Sequence, residues 1–359
     1  MDSTATEGVN LVTGATGIVG MQVVAQLLRD GQTVRALHRP SSDVARVTRF
    51  LEDEGLANEA ATRLTWVEGD VTDGDTLEAA LDGVGCVIHC AALVSFHPAD
   101  HAAMRRINAQ GTANLVNAML HVGTPRMVHV SSVAALGRKA GRPTDETTLF
   151  EEHPGVTGYA RSKHRAEMEV WRGAAEGISG GVVVVNPTIV LGPGDFTRSS
   201  GALFHQVHRG LAWYPQGSNG YVASWDVAEV CVKLARSSVR DARFVLCAEQ
   251  WTYRNLMNAI ADALECPRPT RPVRSWMPGL LWRFFWVVER WTGRRSVATK
   301  ESLANTGAHH TYDGTKVLRT LHELGHTWAY TPIDEAVRRT ARNFLAARAG
   351  AAKESGLGS

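Results

Sequence analysis

Val9-Asn10-Leu11-Val12-Thr13-Gly14-Ala15-Thr16-Gly17-Ile18-Val19-Gly20 decides the fold. Residues 9–13 are a short apolar run that stops at glycine, the pattern of a strand buried on both faces. Residues 18–29 then place apolar side chains at helical spacing. Between them the glycines fall three apart. A turn this sharp, open to close approach by a phosphate, needs residues without a side chain. The N-terminus of the following helix adds free N–H groups and a positive dipole end. Glycines mark turns everywhere. Between the first strand and first helix of an alternating chain they mark a phosphate loop, here Gly14, Thr16, Gly17, Ile18, Val19 and Gly20.

Working outward, the alternation continues. Residues 33–38, 64–68, 86–90, 127–131 and 181–186 read as strands, and 43–54, 104–121 and 159–176 as helices. This rhythm predicts an α/β fold, a Rossmann-type doubly wound parallel sheet. After Pro187 it breaks. A turn cluster at 192–195 is followed by a helix over 226–236, a strand over 243–247, and helices over 253–264, 276–291 and 333–347. The expected organisation is a cofactor domain over 1–190, to which 222–248 return. A smaller, mainly helical C-terminal substrate subdomain takes 191–221 and 249–348, and 349–359 form a disordered tail.

Composition narrows the function classes. The chain has 359 residues and a formal net charge of +2. A near-neutral, mixed charge pattern argues against nucleic acid as a partner, which calls for a basic patch or stripe. Five cysteines without a CxxC pair argue against a disulfide framework or a zinc ribbon, and for a reducing, cytoplasmic compartment. No apolar run reaches the ~20 residues of a membrane span. His322-Glu323-Leu324-Gly325-His326 fits the HExxH zinc string. Ala329 and Pro332 occupy the positions where a third-ligand pattern would continue, so no metal site is expected.

The end of the second strand selects the cofactor. A carboxylate there suits the ribose hydroxyls of NAD, and an arginine suits the 2′-phosphate of NADP. The sequence reads Leu37-His38-Arg39-Pro40-Ser41-Ser42, so Arg39 points to NADP, with NAD as the alternative. Asp70, after the third strand, is placed to meet the adenine amino group. Further along, Tyr159-Ala160-Arg161-Ser162-Lys163 puts a phenol and an ammonium on one helix face. The ammonium is expected to lower the phenol pKa from about 10 toward working pH, as proton exchange with an alcohol or ketone requires. Upstream, Val130-Ser131-Ser132 ends a strand with a hydroxyl that could steady the substrate oxygen.

Taken together, the chain resembles the extended short-chain dehydrogenase/reductases of the NAD-dependent epimerase/dehydratase superfamily. The matching residues are Thr13-Gly14-x-x-Gly17-x-x-Gly20, Gly69-Asp70-Val71, His89-Cys90-Ala91-Ala92, Asn108-x-x-Gly111-Thr112, Val130-Ser131-Ser132, Tyr159-x-x-x-Lys163 and Asn186-Pro187. Trp225-Asp226-Val227-Ala228 extends the match. The resemblance implies roles. Tyr159 is the acid/base, Lys163 binds the nicotinamide ribose and lowers the tyrosine pKa, and Ser132 orients the substrate oxygen, with Ser131 as the other alignment. Asn108 supports the active-site helix or a water relay. Val71, Ala91 and Ala92 line the cofactor, and Pro187 and Thr188 lie against the nicotinamide.

Asn186 and Leu136 stand where nucleotide-sugar members of the family usually carry arginine and tyrosine. Asn-Pro is instead similar to the dihydroflavonol reductase and 3β-hydroxysteroid dehydrogenase branch. The function this implies is interconversion of an alcohol and a ketone or aldehyde on an apolar small molecule. The alternative is a nucleotide-sugar epimerase with tightly held NAD.

Four of the ten tryptophans (Trp276, Trp282, Trp286 and Trp291) fall within 276–291. That segment reads as a packed helix, as a wall of an apolar pocket, or as a peripheral contact with a membrane surface. A homodimer is compatible with the sequence.

Overall fold

The computed structural model describes residues 8–138, 141–197, 200–274, 276–277, 279, 282, 301 and 307–354. Its centre is a seven-stranded sheet in which every paired strand runs parallel. The strands are β1 (Val9–Thr13), β2 (Val34–His38), β3 (Leu64–Glu68), β4 (Val84–His89), β5 (Met127–Val130), β6 (Val182–Pro187) and β10 (Ala242–Leu246). Their spatial order is β10-β6-β5-β4-β1-β2-β3. The order reverses between β1 and β4, so a crevice opens there at the carboxyl ends of the strands. All six residues of β6 are buried. A parallel strand covered on both faces by helices needs that apolar run.

The helices α1 (Gly20–Arg29), α2 (Val44–Asp53), α3 (Ala57–Arg63) and α4 (Gly74–Leu81) connect the early strands. After β4 the chain forms α5 (His101–Met104), a π-helical stretch Arg105–Gln110 and α6 (Gly111–Val122), and after β5 the long α7 (Gly158–Glu176). The loop before α1 is longer than the apolar spacing predicts, because Gly14 turns at φ +66° and Gly17 N–H bonds back to its carbonyl at 2.9 Å. The helix therefore begins at Gly20 rather than at 18. The sequence reading also passes over α3 and α4.

Two stretches beyond Pro187 return to this layer. Helix α9 (Ser224–Ala235) joins the core beside α1, and β10 pairs with β6. The remainder builds a second apolar cluster around Phe204, Tyr221, Leu256, Ile260, Val337 and Phe344. Here the chain adds a short pair, β8 (Trp213–Tyr214) with β12 (Arg271–Pro272), and a small mixed sheet that helical spacing does not reveal: β7 (Ile189–Leu191), β9 (Ser218–Ala223) and β11 (Glu249–Thr252), in the order β11-β9-β7. Helices α8 (Gly201–His208), α10 (Tyr253–Ala263) and α12 (Ile333–Glu354) pack around it.

Helix α12 runs past the expected boundary at 349, because its alanine-rich end is itself a good helix former. The expected disordered tail is thus helical to Glu354, and 355–359 lie outside the described residues. The tryptophan-rich reading of 276–291 also falls outside them, apart from Trp276, Met277, Gly279 and Trp282. Among the described residues no helix is long and apolar enough to cross a membrane.

The HExxH string does not form a metal-binding helix. Helix α11 (Thr315–Glu323) carries His322 and Glu323, and then stops. His326 lies beyond its end, so the two histidines are not one turn apart on a common helix.

Candidate active site

The phosphate loop is built by close packing. A Cβ on Gly14 would stand 2.6 Å from the backbone nitrogen of Ala91, and one on Gly20 would overlap the carbonyl oxygen of Gly14. Main chain fills the space a side chain would need, which brings Ala91, at the end of β4, against the loop. Thr16 is held from outside the loop, since Arg46 on α2 donates to its carbonyl at 2.9 Å. Arg46 Nε is buried and lacks a partner. The sequence reading missed this arginine. It singled out Arg39, which the structure places on the exposed turn after β2, with its N–H bonded to Ser42 Oγ at 3.1 Å.

On the far side of β1, Asp70 Oδ1 accepts from both the N–H and the hydroxyl of Thr72, at 2.8 and 2.9 Å. These bonds orient the carboxylate. Val71 is buried against Gly111, and Ala92 is exposed at the rim.

The catalytic candidates meet where β5 ends and α7 begins. Thr157 caps α7 by accepting from the N–H of Ala160, which sets Tyr159 in the first turn. Ser132 Oγ accepts from the N–H of Ala134 at 3.1 Å, and its hydroxyl acts on the Tyr159 phenol by opposing the rise in its pKa. It is Ser132, rather than Ser131, that reaches the tyrosine. The Ser131 hydroxyl is buried on the sheet without a partner.

Lys163 is 1 % exposed, and its ammonium donates to the carbonyl of Val130 at 3.0 Å. Burial pulls its pKa down to about 8, against the opposing charges of Glu167 and Cys90. The expected lowering of the tyrosine is not what these residues produce. Burial raises the Tyr159 phenol above its ordinary value, and the Ser132 hydrogen bond is the opposing effect. The reason is geometric, since the Lys163 ammonium is bonded to main chain under the sheet end. The phenol is thus held protonated, ready to donate to a carbonyl.

Asn108, in the π-helical stretch, is a structural clamp. Its Oδ1 accepts from Leu93 N–H at 2.7 Å, and its Nδ2 donates to Leu93 O and to Ser162 Oγ, both at 2.9 Å. Both amide donors and one acceptor position are occupied, which ties the loop after β4 to α7. Asn186 donates to Ser132 O at 2.9 Å and so braces the serine loop. Pro187 and Thr188 are buried at the end of β6, and the Thr188 hydroxyl bonds Leu246 O at 3.0 Å, directed to β10.

The residues present fit a dinucleotide. Main chain packed against Gly14 and Gly20 keeps the loop free of side chains, and among the described residues nothing partners the buried Ser131 hydroxyl. Gly14, Gly17 and Gly20 would meet the phosphates and Asp70 the adenine, while Lys163 and Ser131 would meet the nicotinamide end.

Two histidines to which the sequence reading assigned no role lie under the site. His89 and His129 are fully buried on neighbouring strands, with ring centroids 5.1 Å apart. Burial and the Lys163 charge lower His89 to about 3 and hold His129 well below its usual range. The unfolded chain binds these protons near pH 6.5 and the folded chain does not, so stability is lost as the pH falls below 6.5. Two such groups cost about 1 kcal/mol each between pH 6.5 and 5.5. Asp226 acts oppositely. Burial lifts it to about 6, so it offsets roughly half of one histidine over that interval. Urea unfolding at the two pH values is expected to show a clear loss of stability at pH 5.5, and a gain would refute the neutral assignment of both rings.

Comparison with known proteins gives a consistent picture. The sequence pattern of the NAD dependent epimerase/dehydratase family matches residues 10–246. Sterol demethylase protein B of Methylococcus capsulatus is 32% identical over 262 residues, 72% of this chain and 75% of its own length. Cinnamoyl-CoA reductase 1 of Petunia hybrida is 30% identical over 275 residues, 72% of this chain and 79% of that one. The crystal structure of gox2253 superposes with a TM-score of 0.74 at 29% identity, covering 94% of this chain and 98% of the other.

Proposed function

We propose that this chain, which belongs to the NAD dependent epimerase/dehydratase family, is an NADP(H)-dependent oxidoreductase. It would interconvert an alcohol and a ketone or aldehyde on an apolar, ring-bearing small molecule. The observation that carries the reading is the placement of Tyr159 in the first turn of α7, four residues before the buried Lys163, with burial holding its phenol protonated. A group in that state donates its proton to a carbonyl oxygen as the carbonyl is reduced. Ser132 lends its hydroxyl to the same oxygen. A bound nicotinamide nucleotide supplies the hydride. Lys163, fixed by Val130 O, keeps a positive charge beside the site.

Apolar specificity is supported at the mouth of the site. Phe96 lies edge-on to the Tyr159 ring at 6.0 Å, yet is 43% exposed, and Val94 beside it is 42% exposed. Large apolar side chains left open next to a catalytic group suit an apolar ligand. The sterol and cinnamoyl groups in the names of two relatives support the same class.

The choice of NADP rests on Arg39 and Arg46, the first on the turn after β2 and the second on the next helix against the phosphate loop. Arg39→Ala is expected to raise KM for NADPH roughly tenfold and to leave KM for NADH unchanged, whereas Arg46→Ala, which also releases the Thr16 carbonyl, is expected to raise both. The deciding experiment is a cofactor-oxidation screen of cyclic ketones, aromatic aldehydes and UDP-sugars with NADPH and with NADH. Ketone- or aldehyde-dependent oxidation of NADPH is expected. Interconversion of UDP-sugars, or equal kcat/KM with NADH, would overturn the assignment.

A further inference from the structure

Between the strand that enters the phosphate loop and the main chain of Tyr159 runs a series of buried polar residues, linked through side chains and, at Asn108, through its main-chain carbonyl as well. Thr13, His89, Thr112, Asn108 and Ser162 are each at most 3 % exposed. The links are Thr13 Oγ1 to His89 Nδ1 at 2.6 Å, His89 Nε2 to Thr112 Oγ1 at 3.0 Å, and Thr112 Oγ1 to Asn108 O at 2.6 Å. Asn108 Nδ2 then meets Ser162 Oγ at 2.9 Å, and Ser162 Oγ meets Tyr159 O at 2.7 Å.

Donor counting fixes every direction. A carbonyl oxygen only accepts, so the single hydroxyl proton of Thr112 goes to Asn108 O. Thr112 Oγ1 must then accept from His89, which makes Nε2 the protonated ring nitrogen. With Nε2 protonated in a neutral ring, Nδ1 accepts, and the Thr13 hydroxyl is its donor. The same logic sends the Ser162 hydroxyl to Tyr159 O, so Ser162 accepts from the Asn108 amide. The amide cannot be turned round, because Leu93 N–H already donates to Oδ1. Each group donates toward Tyr159, and the links on either side of Asn108 are each strengthened by their buried setting.

Packing alone does not account for His89. Its neighbours in β4, Cys86, Val87 and Ile88, are apolar and at most 1 % exposed. An aliphatic side chain would fill the place without the cost of burying an imidazole. Asn108 adds a second sign, since π-helical turns such as Arg105–Gln110 concentrate at functional positions.

We infer that His89 and Thr112 are positioning residues that tie the entry strand of the phosphate loop to the main chain of Tyr159, with His89 locked as the neutral Nε2–H tautomer. The inference rests on the reading of Tyr159 as the acid/base. Neither residue touches the reacting atoms. They set where the phenol stands relative to the loop that would carry the cofactor, a placement to which proton and hydride transfer are sensitive at the scale of an ångström.

Two measurements test it. Nitrogen-detected NMR of the histidine rings in the full-length protein is expected to show His89 neutral and protonated on Nε2 from pH 5 to pH 8. An Nδ1–H tautomer or an imidazolium would overturn the network. In kinetics, Thr112→Val keeps the side-chain shape and removes the hydroxyl. It is expected to lower kcat about tenfold with KM for NADPH within about twofold, and Thr112→Ser to restore kcat. A lower Tm with unchanged kcat in Thr112→Val would mark a purely structural role and refute positioning. If the wild-type protein reduces no ketone or aldehyde, the proposed function fails instead, and the tautomer still decides the network.

Discussion

Tyr159→Phe is expected to lower kcat about a thousandfold, roughly 4 kcal/mol of transition-state stabilisation, and to leave NADPH binding intact. The substitution removes one oxygen. The ring stays, and with it the edge contact to Phe96. The lost group is the phenol that burial keeps protonated. The change therefore removes the proton donor and leaves the fold in place. Cofactor binding, followed by the fluorescence of NADPH, should match the wild type, since the glycine loop and Lys163 are untouched. A variant that keeps a tenth or more of wild-type turnover would remove Tyr159 from the mechanism.

The second large effect is expected at Gly20. Its missing side chain lets the first turn of α1 close on the carbonyl of Gly14, and a methyl group there would overlap that oxygen. Backbone sits on the other side, so no flexible side chain can move aside. Overpacking of this kind costs about 1–3 kcal/mol. The loop can escape it only by opening, which moves the N–H groups that would meet the phosphates. Gly20→Ala is accordingly expected to weaken NADPH binding by roughly a hundredfold, with a native circular dichroism spectrum. Wild-type affinity in this variant would show that the phosphates bind elsewhere.

These effects could be argued largely from the sequence, because the loop and the tyrosine-lysine pair depend on local spacing. The seven strands of the main sheet were legible for a related reason. A strand buried on both faces must be an apolar run, and Val182 to Val185 states this plainly. Helix α3 was not legible. It buries none of its residues, so it prints no apolar stripe. The sheet of β7, β9 and β11 was hidden by short strands whose partners are distant in sequence. In the site, Arg46 escaped notice and His89 was given no role of its own, because their partners stand 30 and 76 residues away. The direction of the Tyr159 pKa could not be had from spacing either, since the i,i+4 rule places Lys163 on the right face but says nothing of Val130 O, which holds its ammonium.

The sheet order also bears on synthesis and handling. Strand β6 lies inside the sheet only because β10, formed by residues 242–246, covers its outer edge. A nascent chain must extend some sixty residues past Val182–Pro187 before that cover exists. Until then four consecutive valines without a charge offer unpaired backbone groups, the sort of edge on which chains stack on one another. Parallel pairing is slow to form and prolongs this exposure. A fragment cut near residue 190, where the phosphate loop and Tyr159 are already present, would keep the valine edge permanently open and collect as aggregate. Soluble protein therefore requires the chain at least through β10, and a slower, cooler expression regime should raise its yield.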